Sequence, residues 1–311
     1  MLGDLFTGGI IINLFSTMVR LATPLLIAAM GELVVERSGV MNLGVEGMML
    51  MGAFVGYIVS LNTHSLLVGL FAAVLSGALM AFILGIMCIT LKVEQTVTGL
   101  ALNLLSSGLT LFVFRALYDK NNAINEFFPV LPIPILSKIP YIGEIVFTQR
   151  GLTYFAFLCI PAIAFFLNRT RKGLEIRSTG ENPSAVDTRG LNVSTLRYLA
   201  VIFGGMMAGL AGWFFTNGIS SRFVPEITAG RGWLAIIIVI AGNWQAGRML
   251  AATLIFAFLD AFQFTLQGVG VNIPFQILLA MPYVVARLVL MSSRVRSQMP
   301  GVLGVPYEKE R

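Results

Sequence analysis

Two carboxylates, Glu46 and Asp260, sit inside stretches that are otherwise almost wholly apolar. An ionisable group within a membrane segment is costly unless it faces protein or a wet cavity, so such residues bind solute, relay protons or tie helices together. Asn42 lies four residues before Glu46, which puts both on one face if that stretch is helical. Asn103, Ser106, Ser107 and Thr110 form a second stripe at helical spacing, and Asp260, Gln263 and Gln267 a third. Such stripes suit a cavity for a polyhydroxylated or nucleoside-like solute. The same groups can also serve as interhelical bonds, which contribute about 1 kcal/mol each in membranes. For Glu46 both readings stay open, while the rarity of ionisable groups in spans favours function for Asp260. The candidate translocation residues are therefore Asn42, Glu46, Asn103, Ser107, Asp260 and Gln263.

Catalysis finds no constellation. His64 is the only histidine and sits in a short polar turn, NTHS. Cys88 and Cys159 lie in apolar runs, where a lone cysteine is a small buried hydrophobe, so neither a disulfide nor a metal site is expected. Glu46 and Asp260 do not stand in recognisable protease contexts. No G-x-x-x-x-G-K-[ST] phosphate loop occurs, so any ATP is bound by a separate protein and no cofactor is expected here.

The elements that must position these residues follow from composition. Of 311 residues 57% are hydrophobic and 12% charged, with a mean hydropathy of +0.85. Soluble domains carry about 25% charged residues, so a soluble class is excluded. A spanning helix needs about 20 mostly apolar residues. Candidate runs are 8–30, 40–61, 66–91, 97–117, 151–168, 195–218, 232–247, 248–268 and 273–291. The fold class is thus an all-α integral membrane protein, a polytopic bundle of about eight to ten transmembrane helices, some broken, in a single domain over 1–311.

One polar island fixes the orientation. Asn168 to Arg197 carries Arg169, Arg171, Lys172, Arg177, Arg189 and Arg197 against Glu175, Glu181 and Asp187. A loop so polar lies in water, and its basic excess places it in the cytoplasm. Four spans separate it from the tail 292–311 with Arg294, Arg296, Lys309 and Arg311, so both are cytoplasmic. The loop 118–150 falls outside, with room for a short interfacial helix. Nine straight spans put the N-terminus outside, whereas a re-entrant segment in the first sixty residues would reverse that. The first basic residue is Arg20, so the N-terminus reads as mature protein rather than a cleaved signal. The +6 net charge follows this topology and forms no basic patch with interleaved aromatics, so nucleic-acid binding is not expected. Glycines and alanines at 205, 208, 209 and 212 read as a close helix crossing.

Three stretches resemble one family in the same order. ERSGVMNLGVEGMMLMGAFVGY at 36–57 is similar to the N-terminal signature of inner-membrane permeases of the ribose/simple-sugar and nucleoside ABC importers. KGLEIRSTGENPSAVDTRGLNVSTLR and the glycine-rich run after it resemble the family's cytoplasmic loop, with its core at Gly180, Asn182, Pro183 and Ala185. GRGWLAIIIVIAGNWQAGRMLAATLIFAFLDAFQ at 230–263 resembles the second-half signature of nucleoside-type members, with Asn243-Trp244-Gln245-Ala246 replacing a Gly/Pro-containing turn. The resemblance implies a type II importer-like permease, the shorter of two that pair, in the bacterial cytoplasmic (inner) membrane. It implies as partners a cytoplasmic ABC ATPase, a second permease and an extracytoplasmic solute-binding lipoprotein or periplasmic protein, besides membrane lipid. The polar island becomes the coupling loop, presenting Gly180, Glu181, Asn182, Pro183, Asp187 and Arg189 to the ATPase. The chain itself hydrolyses nothing.

The implied function is therefore passage of nucleosides or related simple sugars. Its rivals are a branched-chain amino acid permease and a stand-alone secondary transporter coupled to protons through Glu46 and Asp260.

Overall fold

Apolar runs longer than the bilayer is thick become helices because only a helix satisfies every backbone N–H and C=O within its own segment. The computed structural model describes residues 8–117, 124–268, 275–292 and 298–308. Among these, seven helices are long and apolar enough to cross a membrane. They are α1 (Gly8–Arg37), α2 (Val45–Thr63), α3 (Leu66–Gly85, continued by a π turn to Thr90) and α4 (Gln95–Leu117) in the first half. After the loop come α6 (Gly151–Arg169), α9 (Val193–Phe214, continued by a π turn to Ser220) and α11 (Ala246–Gly268). Shorter helices are α5 (Ile142–Val146), α7 (Arg171–Glu181), α8 (Pro183–Thr188) and α10 (Arg231–Ala241), and α12 (Phe275–Ser292) follows α11.

The core is a helix sandwich with α1, α2, α3 and α9 at its centre. The small residues of α9 let it approach two neighbours at backbone distance. A Cβ on Gly52 of α2 would stand 2.3 Å from the Gly209 carbonyl oxygen, and one on Gly205 would stand 2.4 Å from that of Gly77 in α3. Without a hydrophobic drive between helices in lipid, such close packing is a principal attraction. Trp213 closes the outer end of this crossing, wholly buried, its indole N–H donating to Ser60 at 3.4 Å.

The loop expected outside contains more order than a single short helix. Strands β1 (Val130–Pro132) and β2 (Thr148–Arg150) pair antiparallel around α5. Gln149 reaches back to Ser16 at 3.1 Å, so the start of α1 shares this end of the molecule. The end of α1, at Arg37, lies against the polar island instead. α1 therefore runs unbroken, through Arg20, from the end that holds β1 and β2 to the end that holds the polar island. Residues 118–123 and the basic residues Arg294, Arg296, Lys309 and Arg311 lie outside the described residues.

α4 is preceded by Glu94, whose carboxylate accepts from the Thr96 and Val97 amides at 3.0 and 2.7 Å. Bonding from Thr96 and from the Val97 amide holds that carboxyl below its ordinary range.

Candidate translocation site and coupling face

The run 232–247, expected as a full span, does not cross as one helix. It forms α10, eleven residues and roughly 17 Å long, too short for a hydrocarbon core of about 30 Å. The chain leaves α9 at the outer end, where Asn125 donates its amide to the Ser221 carbonyl at 2.8 Å. Residues 221–230 then descend without regular structure, pinned by Phe223 between Phe54, Tyr57 and Phe114. α10 therefore starts within the membrane, and its free N–H groups must find acceptors there.

Glu46 supplies them. Its carboxylate accepts from the Gly230 amide at 2.9 Å, the Gly232 amide at 2.6 Å and the Thr228 hydroxyl at 2.5 Å. A carboxylate at a helix N-terminus also meets the positive end of the macrodipole. Room for it exists because position 232 is glycine: a Cβ there would meet Glu46 Cα at 2.5 Å. Arg231 extends from the same turn to Asp260 of α11 at 3.3 Å and lies over the Phe215 ring at 5.2 Å. Tyr283 of α12 donates to the Ala229 carbonyl at 2.8 Å. These groups form a polar collar around the start of α10.

The start of α2 is held by a second set. Asn103 of α4 accepts from the Gly47 amide at 2.7 Å and donates to the Leu43 carbonyl at 2.8 Å, so it clamps the first turn of α2 from both sides. Asn42 does not share a helical face with Glu46, because α2 begins only at Val45. It lies in the turn before the helix, accepting from the Gly44 amide at 3.1 Å and donating to Glu32 of α1 at 3.0 Å. The physical reason is Gly39, at φ +87°, which turns the chain out of α1 before α2 can start.

Of the six candidate translocation residues, Glu46, Asn103, Ser107 and Asp260 thus gather at the collar. Asn42 sits beside it on the α1 side, and Gln263 is buried on α11 one turn beyond Asp260. Gln267 is exposed. Thr110 spends its hydroxyl on the Ser106 carbonyl of its own helix at 2.7 Å. Ser107 faces the descending segment and donates to the Glu226 carboxylate.

Sequence reasoning missed Glu226, Thr228, Arg231 and Tyr283. The available signal was the ten-residue apolar run 232–241, bounded by Arg231 and Gly242 and too short to span. Trp244 is buried, and its indole N–H donates to Glu36 in the interior.

The end that holds the polar island is assembled differently. Thr170 caps α7 by accepting from the Gly173 amide at 3.0 Å. Asn182 caps α8 through the Ala185 amide at 3.0 Å, with Pro183 in its first turn. The second is the Asn-Pro pattern by which a helix commonly starts. Gly180 is buried against the end of α1, where a Cβ would stand 2.4 Å from the Arg37 carbonyl oxygen. Glu181, Asn182 and Arg189 are exposed, Asp187 is half-buried and Pro183 is buried. A groove of about 530 Å³ runs along this corner between Leu174, Arg177, Glu181, Ala185 and Arg189.

The tail crosses the same face. Gln298 takes a bond from Gln245 at 3.0 Å, the Val302 amide donates to the Gly180 carbonyl at 3.0 Å, and that of Gly304 to Gly39 at 3.1 Å. Arg197 then donates to the Val305 carbonyl at 3.2 Å, Tyr307 packs on Val186 and Leu196, and Glu308 pairs with Lys92 at 3.2 Å. The tail therefore straps the α1 end, the α7–α8 corner and the α3–α4 turn to one another.

Comparison with known proteins gives a consistent result. Residues 14–292 match the family described as the branched-chain amino acid transport system / permease component. A provisionally named glucose ABC transporter permease of Haloferax volcanii is 36% identical, covering 96% of this chain and 98% of its own. The guanosine ABC transporter permease NupQ of Bacillus subtilis is 35% identical over 93% of this chain and 94% of its own. The nucleoside ABC transporter permease NupC of Lactococcus lactis is 32% identical over 95% of this chain and 96% of its own. The last two species each hold a second, more distant match named for the same solute, at 27% and 22% identity. No solved structure matches the chain.

Proposed function

The chain belongs to the branched-chain amino acid transport system / permease component family, and from that membership we propose that it conducts nucleosides or related simple sugars through its half of a paired pore. It is a multi-pass permease subunit of an ABC transporter, a transport component and not an enzyme. One observation carries the solute class: the relatives matched end to end are named for guanosine, nucleosides and glucose. Ribosides and hexoses share a ring bearing several neutral hydroxyls, which a wall of carboxylate, amide and hydroxyl groups can bind.

Two matching permeases in one system support a pore completed by a second, related subunit. A separate cytoplasmic ATPase would dock on α7 and α8, reading Glu181, Asp187 and Arg189 along the groove. An extracytoplasmic binding protein would deliver the solute at the end marked by β1 and β2, and a bacterial cytoplasmic (inner) membrane would hold the assembly. The contacts give docking a route inward. Gly180 presses on Arg37 and Gly39, Glu32 of the same helix holds Asn42, and the turn after Asn42 starts α2 with Glu46. Movement of the corner would shift that start and, through Glu46, the first turn of α10.

The test is reconstitution of this chain with its second permease, ATPase and binding protein in liposomes, followed by uptake of radiolabelled guanosine. Uptake is expected only with ATP and all four proteins. Uptake by this chain alone, driven by a pH gradient and indifferent to the ATPase, would overturn the reading.

A further inference from the structure

The carboxylates of the collar differ in how their charge is met. Glu46 is buried among N–H groups and a hydroxyl, and Asp260 is buried beside Arg231. Glu226 is exposed, and the contact it makes is with the hydroxyl of Ser107. Its depth follows from α4. Ser107 lies twelve residues beyond Gln95, about 18 Å along the axis, and so near the middle of a hydrocarbon core about 30 Å thick. A carboxylate exposed at that depth cannot face lipid, so it faces the water and solute of the pathway or the second permease that completes the pore.

The backbone presents this side chain deliberately. Glu226 adopts φ +59°, a left-handed conformation that non-glycine residues rarely take. The turn is fixed by the Ala229 amide donating to the Glu226 carbonyl at 2.9 Å. It is fixed above by Phe223 among its aromatic neighbours and below by Thr228 on Glu46. A strained residue held from both sides points to use of the group it displays.

We infer that Glu226, oriented by Ser107, is a solute-recognising contact in the translocation pathway, and that it accepts hydrogen bonds from the vicinal hydroxyls of a ribose or hexose ring. The inference rests on the nucleoside-or-sugar reading above. An ionised carboxylate is an acceptor with about four lone-pair sites, of which Ser107 uses one. Two adjacent hydroxyls match two carboxylate oxygens, and such charge-assisted bonds are the stronger kind. Loss of one hydrogen bond to a charged group, roughly 1.5–3 kcal/mol, predicts about a ten- to hundred-fold loss.

The test uses the complete reconstituted transporter. Glu226→Cys is treated with a membrane-impermeant, negatively charged methanethiosulfonate, with and without guanosine or glucose and binding protein. Cys88 and Cys159 are buried and give the background. Labelling at 226 that the solute slows is expected, and inert thiol in every state, or labelling that neither solute slows, overturns the inference. In parallel, uptake is measured at saturating binding protein. Glu226→Ala is expected to lose at least about ten-fold in rate with abundance and ATP hydrolysis retained, and Glu226→Asp to recover part of it. Normal uptake by Glu226→Ala sinks the contact while leaving the solute reading intact. A wild-type transporter that moves neither guanosine nor glucose sinks the solute reading, and labelling then still reports whether position 226 is wet.

Discussion

The collar around α10 and the α7–α8 corner are built from the same residue types, carboxylates, asparagines and glycines, and use them in opposite ways. At the corner, backbone groups are met by short local caps such as Asn182, and Glu181 and Arg189 stay exposed. At the collar, side chains are consumed by backbone: Glu46 on Gly230 and Gly232, Asn103 on Gly47 and Leu43. The difference comes from solvent. Water meets an unpaired N–H at the corner, whereas in hydrocarbon each one left alone costs several kcal/mol. A polar residue inside a span is therefore explained first by the nearest broken backbone, and only what remains exposed, such as Glu226, is free for solute.

The contrast breaks most visibly at Glu46. Glu46→Ala strands two amides and a hydroxyl, at roughly 1–3 kcal/mol each, so both folded protein in the membrane and uptake should collapse. Size-exclusion yield and thermal unfolding of the purified complex would show it, and a well-folded variant would mean that α10 is held by other means. Charge reversal of Glu181 and Asp187 should do the converse. Insertion and thermal stability should stay within error while ATP-driven uptake and ATPase pulldown are lost; unchanged uptake would remove this corner as the docking element.

Asp260→Asn should fall between these. It keeps an acceptor for Arg231 but removes the charge pair, so a loss of about 1 kcal/mol in stability is expected with a partial fall in uptake. If abundance alone changes, Asp260 is structural and the collar contains no solute contact on its α11 side. The smallest effect belongs to Glu94. Its carboxyl is held below the ordinary range in the folded chain, so its contribution is present above the unfolded carboxylate pKa and fades as pH falls through the folded one. Thermal scans from neutral to acid pH should show a shallow decline that Glu94→Gln flattens.

Much of this was legible in the chain. The run 66–91 became a helix from Leu66 to Thr90, and Asn182-Pro183 capped α8 as local rules require. Such features depend on residues within a few positions of each other. The half-length of α10 was missed because hydropathy counts apolar residues and not the acceptors a helix start needs. Asn42 was misplaced because helical spacing was assumed across Gly39 and Gly44, where the chain turns. Glu226 escaped because a segment between two apolar runs reads as loop in water, and nothing local reveals that it descends. The strap made by the tail joins Gly304 to Gly39, a pairing that no pattern of spacing encodes.

That strap also sets an order of events. Residues 298–308 emerge from the ribosome only after α12 has been made, yet they complete the surface around Gly180, Glu181 and Val186. Until they are made, the Glu181 carboxylate and the Gly180 carbonyl lack the amides of Gly301 and Val302.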